Sequence, residues 1–148
     1  MEKSRTVAVL IFEGANATDV AGPLEAFAAA RSPDGAALYK TRIWSLGARV
    51  VRSESGLKLC ADAPAPERPK ADLLIVPGGR GVREPRTLSR LSVWLARYHT
   101  SFARVATVCT GAYALAEAGL ADGRVITTHW AHARDLQRRY PKVRDDAD

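Results

Sequence analysis

Cys109, Asp19 and His129 are the residues of this 148-residue chain whose types suit covalent or proton-transfer chemistry. A thiol can attack an electrophilic carbon, an aspartate can give or take the proton, and an imidazole can serve as base. Cys109 lies in ATVCTGAYALAEAGL, residues 106–120, where an apolar run meets an alanine-rich segment of helical character. A residue at such a joint projects its side chain above a sheet, as in the Gly-x-Ser-x-Gly turn of hydrolases. The start of the following helix favours thiolate, and the amides of Thr110 and Gly111 are placed to cradle an anion or oxyanion. Three readings of Cys109 stay open: a nucleophile, the wall of a ligand pocket, or a small buried hydrophobe.

The other candidates carry bland alternatives too. Gly78-Gly79 after an apolar run lets backbone approach a ligand and offers a second anion donor, yet a glycine pair also simply turns a loop. Asp19 reads either as a helix cap or as the group that shares a proton with whatever Cys109 holds. His129 is a base for Cys109 or a hydrogen-bonded structural residue. His129 and His132, at i and i+3, lack the nearby acidic or thiol ligands a metal site needs, and no cofactor is expected. Glu13 reads as solvated, and Cys60 and His99 as structural.

These residues must be positioned by a scaffold that the pattern specifies. Residues 6–12 (TVAVLIF) and 72–76 are short apolar runs of the kind buried on both faces of a sheet. So are residues 104–108 (RVATV) and 124–128 (RVITT), the latter expected as a fourth core strand leading to His129. Helical spacing follows: Val20, Leu24 and Phe27 on a helix starting between Asp19 and Gly22, so that Pro23 falls in its first turn. Leu88, Leu91, Leu95 and Tyr98 line a second helix, residues 110–118 a third, and residues 131–140 a last one stopped by Pro141. YKTRIWSLG and RVVRSESGLKLCADA read as strands turning at Gly47 and Ser55-Gly56. Strands alternating with helices predict a doubly wound α/β fold with one parallel sheet. Glu13, Asp19, Gly78-Gly79, Cys109 and His129 then converge at the carboxyl edge of that sheet, where ligands bind in open α/β sheets.

Composition limits the choices. The chain is long enough for one domain, has no run of 18 apolar residues, and carries two cysteines without CxxC spacing, which suits a reducing cytoplasm. Its formal charge of +6 is scattered; the late cluster Arg134, Arg138, Arg139, Lys142 and Arg144 reads as a solvated face without nucleic-acid motifs. KVRDDAD resembles the approach to a further strand, so the sheet is expected to be incomplete at the C-terminal end and to expose an apolar edge.

TDVAGPLEAF, ADLLIVPGGRG, VCTGAYALAEAGLADGR and TTHW occur in order across nearly the whole chain. Together they resemble the ThiJ/PfpI branch of the class I glutamine amidotransferase-like superfamily. The resemblance implies a flavodoxin-like sandwich with Cys109 at a nucleophile elbow, Asp19 as its acidic neighbour, His129 nearby, and homodimers as a common habit. Gly78, Gly79, Thr110, Gly111 and Trp130 would line the ligand site. Two subgroups carry this wording: stand-alone isonitrile hydratases, and AraC-type (GlxA-like) transcriptional regulators in which this domain precedes a helix-turn-helix module. AHARDLQRRYPKVRDDAD and SESGLKLCADA resemble the regulators more closely. The expectation is therefore a ligand-sensing, dimerising N-terminal domain in the cytoplasm, with DNA contacted only through a downstream domain, and a cysteine-dependent hydratase or hydrolase as the alternative. No His-x-Glu pair follows the elbow and Thr110 stands where PfpI-type proteases commonly have histidine, which disfavours glutaminase and protease.

Overall fold

The computed structural model describes residues 4–145. β1 (Arg5–Ile11) leads into α1 (Ala17–Ala29), β2 (Tyr39–Ser45) and a hairpin of β3 (Val50–Arg52) and β4 (Lys58–Cys60). β5 (Ala63–Pro64) and β6 (Leu73–Val76) precede α2 (Pro85–Tyr98), β7 (Arg104–Thr107) and α3 (Ala112–Glu117). β8 (Val125–Ile126), α4 (Ala133–Arg139) and β9 (Arg144–Asp145) complete the order. The central sheet runs β5-β2-β1-β6-β7, all parallel.

β1 explains the two-sided core. Ala8, Leu10 and Phe12 turn toward a cluster with Leu91 and Leu95 of α2, Tyr113 of α3 and Leu136 of α4. Val7, Val9 and Ile11 turn the other way, against Val20, Leu24 and Phe27 of α1 and Val51 and Leu59 of the hairpin. Period-2 alternation therefore serves two apolar layers, which is why the sequence of β1 shows no polar face.

Three elements depart from the sequence expectation. α1 begins at Ala17, because Asn16 caps it: its Oδ1 accepts from the Thr18 and Asp19 amides at 2.9 and 3.2 Å. Pro23 thus lies inside the helix rather than in its first turn, where it cannot donate to the Asp19 carbonyl one turn earlier. RVITT is no core strand: only Val125 and Ile126 are extended, and they pair in parallel with β9 in a separate two-stranded ribbon. The apparent approach to a further strand, at 144–145, is the partner of that ribbon, and residues 146–148 lie outside the described residues. β7 ends the main sheet among the described residues, with Arg104 and Ala106 exposed.

Candidate functional site

Local chain geometry builds the site from the carboxyl ends of β1, β6 and β7. Where β7 hands over to α3, Cys109 adopts φ +55°, the one positive φ outside glycine among the described residues. A side chain in this left-handed region costs roughly 1–2 kcal/mol, and the bend is held by three bonds. The Val108 amide donates to the Val76 carbonyl, the Gly111 amide to Val108, and the Thr128 hydroxyl to the Cys109 carbonyl at 3.1 Å. Thr128 thereby brings the segment carrying His129 against the bend.

Asp19 enters from the first turn of α1. Its Oδ2 accepts the Gly78 amide at 3.0 Å, so it does not cap its own helix; Asn16 does. Gly78 is squeezed between the two functional elements: a Cβ there would stand 2.8 Å from Asp19 Oδ2, from the Thr110 amide and from Thr110 Oγ1. Glycine is the residue that lets Asp19 and Thr110 approach one another this closely. The buried Thr110 hydroxyl in turn accepts the Gly79 amide at 3.0 Å.

This bonding changes the expected use of the amides. The Gly79 amide serves Thr110, the Gly78 amide serves Asp19, and the Gly111 amide closes the bend on Val108. The Thr110 amide and hydroxyl act on the Cys109 thiol. No preformed pair of free donors among Gly79, Thr110 and Gly111 faces the sulfur as an oxyanion site would require.

Electrostatics follow the same pattern. Burial pushes the Cys109 thiol above its ordinary pKa, with Thr110 opposing and the Asp19 and Glu54 carboxylates adding to the rise. Helix-start stabilisation of thiolate, expected from the sequence, is outweighed. Asp19 is likewise raised, by burial first and then by Glu54, against the Gly78 amide and His129. Both groups are thus held toward their uncharged forms.

His129 belongs to the same rim, close enough for its charge to act on Asp19. Its Nδ1 accepts the Ala131 amide at 3.2 Å and so caps the turn Trp130–His132. A neutral ring in that bond carries its proton on Nε2 and has no second lone pair to offer as a base. Trp130 stacks on His129, centroids 5.5 Å apart, and is 83% exposed. Glu13, at the end of β1, is exposed and accepts the Arg52 amide through Oε2. Among the described residues no group of three His, Cys, Asp or Glu could hold a metal ion.

Glu54 is the site residue the sequence concealed. It sits in the β3–β4 turn, where SESG reads only as a hairpin loop, and its charge reaches both Asp19 and Cys109. The signal was the long pairing of a loop with two other loops, which local pattern does not carry.

A parallel sheet with a thiol on a left-handed bend at the end of a strand, a half-buried acid beside it and a glycine pair between them defines the class of this fold and site. Residues 5–147 match the model of the DJ-1/PfpI family, and the chain belongs to that family. It is 38% identical over 135 residues to an uncharacterized protein in the cpoL 5' region of Streptomyces lividans, covering 91% of this chain and 94% of that one. It is 30% identical over 139 residues to the HTH-type transcriptional regulator GbdR of Pseudomonas aeruginosa, covering 94% of this chain and 38% of the regulator. Against isonitrile hydratase of Pseudomonas putida the identity is 32% over 132 residues, with coverage of 85% and 53%. Among solved structures, an AraC family transcriptional regulator from Pseudomonas putida superposes with a TM-score of 0.75 at 24% identity, over 99% of this chain and 77% of that one. The chain therefore spans well under two thirds of the regulator and hydratase sequences it resembles. No helix among the described residues is long and apolar enough to cross a membrane.

Proposed function

We propose that this chain is the ligand-sensing, self-associating domain of an AraC-type transcriptional regulator, binding a small molecule at the Cys109–Asp19 rim without turning it over. The observation that supports this reading over catalysis is that the Gly78, Gly79 and Gly111 amides are spent on internal bonds, leaving Thr110 alone to act on the thiol, while burial pushes the thiol pKa up. Such a site can enclose a ligand but does not present a poised thiolate. DNA contact, on this reading, falls to a separate helix-turn-helix module. A helix-turn-helix module encoded in the same reading frame as this domain is the expected finding; a reading frame without one would favour an enzyme.

Self-association on this reading uses the outer face of α1. Ala21, Gly22, Ala26, Ala28 and Ala29 are exposed there, and Val20 is the helix's one fully buried residue. A helix apolar on most sides ordinarily buries more than this. Ala26→Arg is expected to convert a dimer to a monomer in sedimentation velocity, and an unchanged dimer would remove α1 from the interface.

The alternative is a cysteine-dependent isonitrile hydratase, favoured by an Asp19 carboxyl beside the thiol that burial pushes toward its protonated form. The Cys109 sulfur would bond to the isonitrile carbon while Asp19 delivers a proton to that carbon and takes up the proton the thiol gives up, leaving a thioimidate. Water would then displace the thiol to give the N-substituted formamide. Incubation with a simple alkyl isonitrile separates the readings. The sensor should form no formamide above the rate of a Cys109→Ala variant; formamide that appears only with Cys109 present would establish the hydratase.

A further inference from the structure

A cavity of about 190 Å³ opens at the carboxyl ends of β1 and β2, where α2 faces the turn between β2 and β3. It lies on the β2 side of β1, away from the β7 end that carries Cys109. Buried Phe12 and Val51, with half-buried Leu46, give it an apolar floor, and Ala48 adds a methyl group from the turn. That turn is fixed from within the fold. The Leu46 amide donates to the Ile11 carbonyl at 2.9 Å, and the Ser45 hydroxyl donates to the Ala48 carbonyl at 2.6 Å.

The polar groups of the cavity are of two kinds. Thr87 and Arg90, a helical turn apart on α2, supply donors. The guanidinium reaches across to the turn, since a Cβ on Gly47 would stand 3.8 Å from Arg90 Nη1. No group among the described residues accepts from the Thr87 hydroxyl or the Arg90 guanidinium. The acceptor is Glu13, at the end of β1. Its Oε2 takes the Arg52 amide at 3.0 Å, which leaves Oε1 for the cavity. Glu13 and Arg90 line the same space yet form no ion pair with one another. A guanidinium and a carboxylate held apart over an apolar floor complement a molecule that carries both charges and a hydrocarbon body.

We propose that this cavity binds a small amino acid with an apolar side chain. Its carboxylate would lie on Arg90 and Thr87, its ammonium on Glu13, and its side chain on Phe12, Leu46 and Val51. Size supports the class: a cavity of about 150 Å³ holds benzene, so this one suits roughly six to nine non-hydrogen atoms. Cys109, Asp19 and the glycine pair take no part in it, so the site stands whichever reading of Cys109 holds.

Titration calorimetry of the native chain with leucine, and with two molecules that each lack one of its charges, tests the assignment. Isocaproate lacks the ammonium and isoamylamine lacks the carboxylate. Leucine is expected to bind at millimolar concentration or below, and each truncated molecule about tenfold more weakly. Arg90→Gln should weaken leucine by about tenfold and leave isoamylamine as it was. Glu13→Gln keeps an acceptor for the Arg52 amide. It should weaken leucine by about tenfold while isocaproate binds no worse. Loosening of the walls alone would weaken all three molecules together, and would overturn the assigned contacts. Ala48→Leu, which fills the cavity from an exposed turn, should abolish binding without lowering the melting temperature. Leucine binding that survives Ala48→Leu and Arg90→Gln, or that vanishes in Cys109→Ala, places the ligand elsewhere and overturns the proposal. So does the absence of leucine binding to the native chain at millimolar concentration.

Discussion

Asp19 on α1 and Asp135 on α4 are pushed in opposite directions. Asp19 is raised by burial and by the like charge of Glu54. Asp135 is lowered, first by the Tyr113 hydroxyl and then by Arg138 and Arg139. Tyr113 is fully buried, and its hydroxyl donates to Asp135 Oδ2 at 2.7 Å and to the His132 carbonyl at 3.2 Å. Arg138 and Arg139 close on Asp135 at 2.6 and 2.9 Å, and Arg139 also lies over the Tyr113 ring. Around Asp135 a hydroxyl and two guanidinium groups close on the carboxylate; around Asp19 burial and like charge accumulate beside a left-handed cysteine. The first arrangement docks α4 onto α3. The second gathers unfavourable interactions at the rim, as a ligand site of the kind proposed here would.

If the contrast is real, substitutions in the two regions change stability with opposite sign. The largest effect belongs to the dock. Tyr113→Ala removes a fully buried ring and its hydroxyl bonds, and should lower the free energy of unfolding by about 3–5 kcal/mol in urea titration. Next, Asp135→Ala leaves the Tyr113 hydroxyl without its carboxylate acceptor and should cost about 1–2 kcal/mol. A negligible loss in either variant would make α4 a loosely attached segment and dissolve the comparison.

The rim should answer the other way. At φ +55° glycine is unstrained and alanine is not, so Cys109→Gly should be more stable than Cys109→Ala by about 1 kcal/mol. Within a regular helix the order would be reversed. Finding alanine the more stable would mean that the bend carries no strain.

The scaffold was readable because apolar periodicity and turn residues report it directly. β1 and β6, the helix of Leu88, Leu91 and Leu95, and the convergence of Asp19, Gly78 and Cys109 at one edge all follow from chain order in a parallel sheet. Pro23 misled because its helix-breaking tendency outweighed, in reading, the capping side chain of Asn16 seven residues before it. RVITT misled because a β-branched run specifies an extended segment but not which sheet it joins. The electrostatics were least legible. A helix start pointed to a stabilised thiolate, whereas the depth of the thiol and the two neighbouring carboxylates, one from a hairpin 55 positions away, decide the direction.

The smallest effect is the most discriminating, because it ties stability to pH with opposite sign in the two regions. The folded state holds the Asp19 proton more tightly than the unfolded chain does, so its ionisation costs stability as pH rises from 3.8 through the raised value. Asp19→Asn keeps an acceptor for the Gly78 amide and removes that cost. The variant should match the native chain near pH 3 and exceed it at pH 7 by a few tenths of a kcal/mol, partial exposure screening the rest. Asp135 runs oppositely: its contribution is fully present above 3.8 and disappears as pH falls through its lowered value. The deficit of Asp135→Ala should therefore shrink in acid, as does the gain of Asp19→Asn, and the two curves should diverge on opposite sides of the native chain toward neutrality. Parallel curves would show that both aspartates serve the scaffold alike, and Asp19 would then have no claim to a ligand.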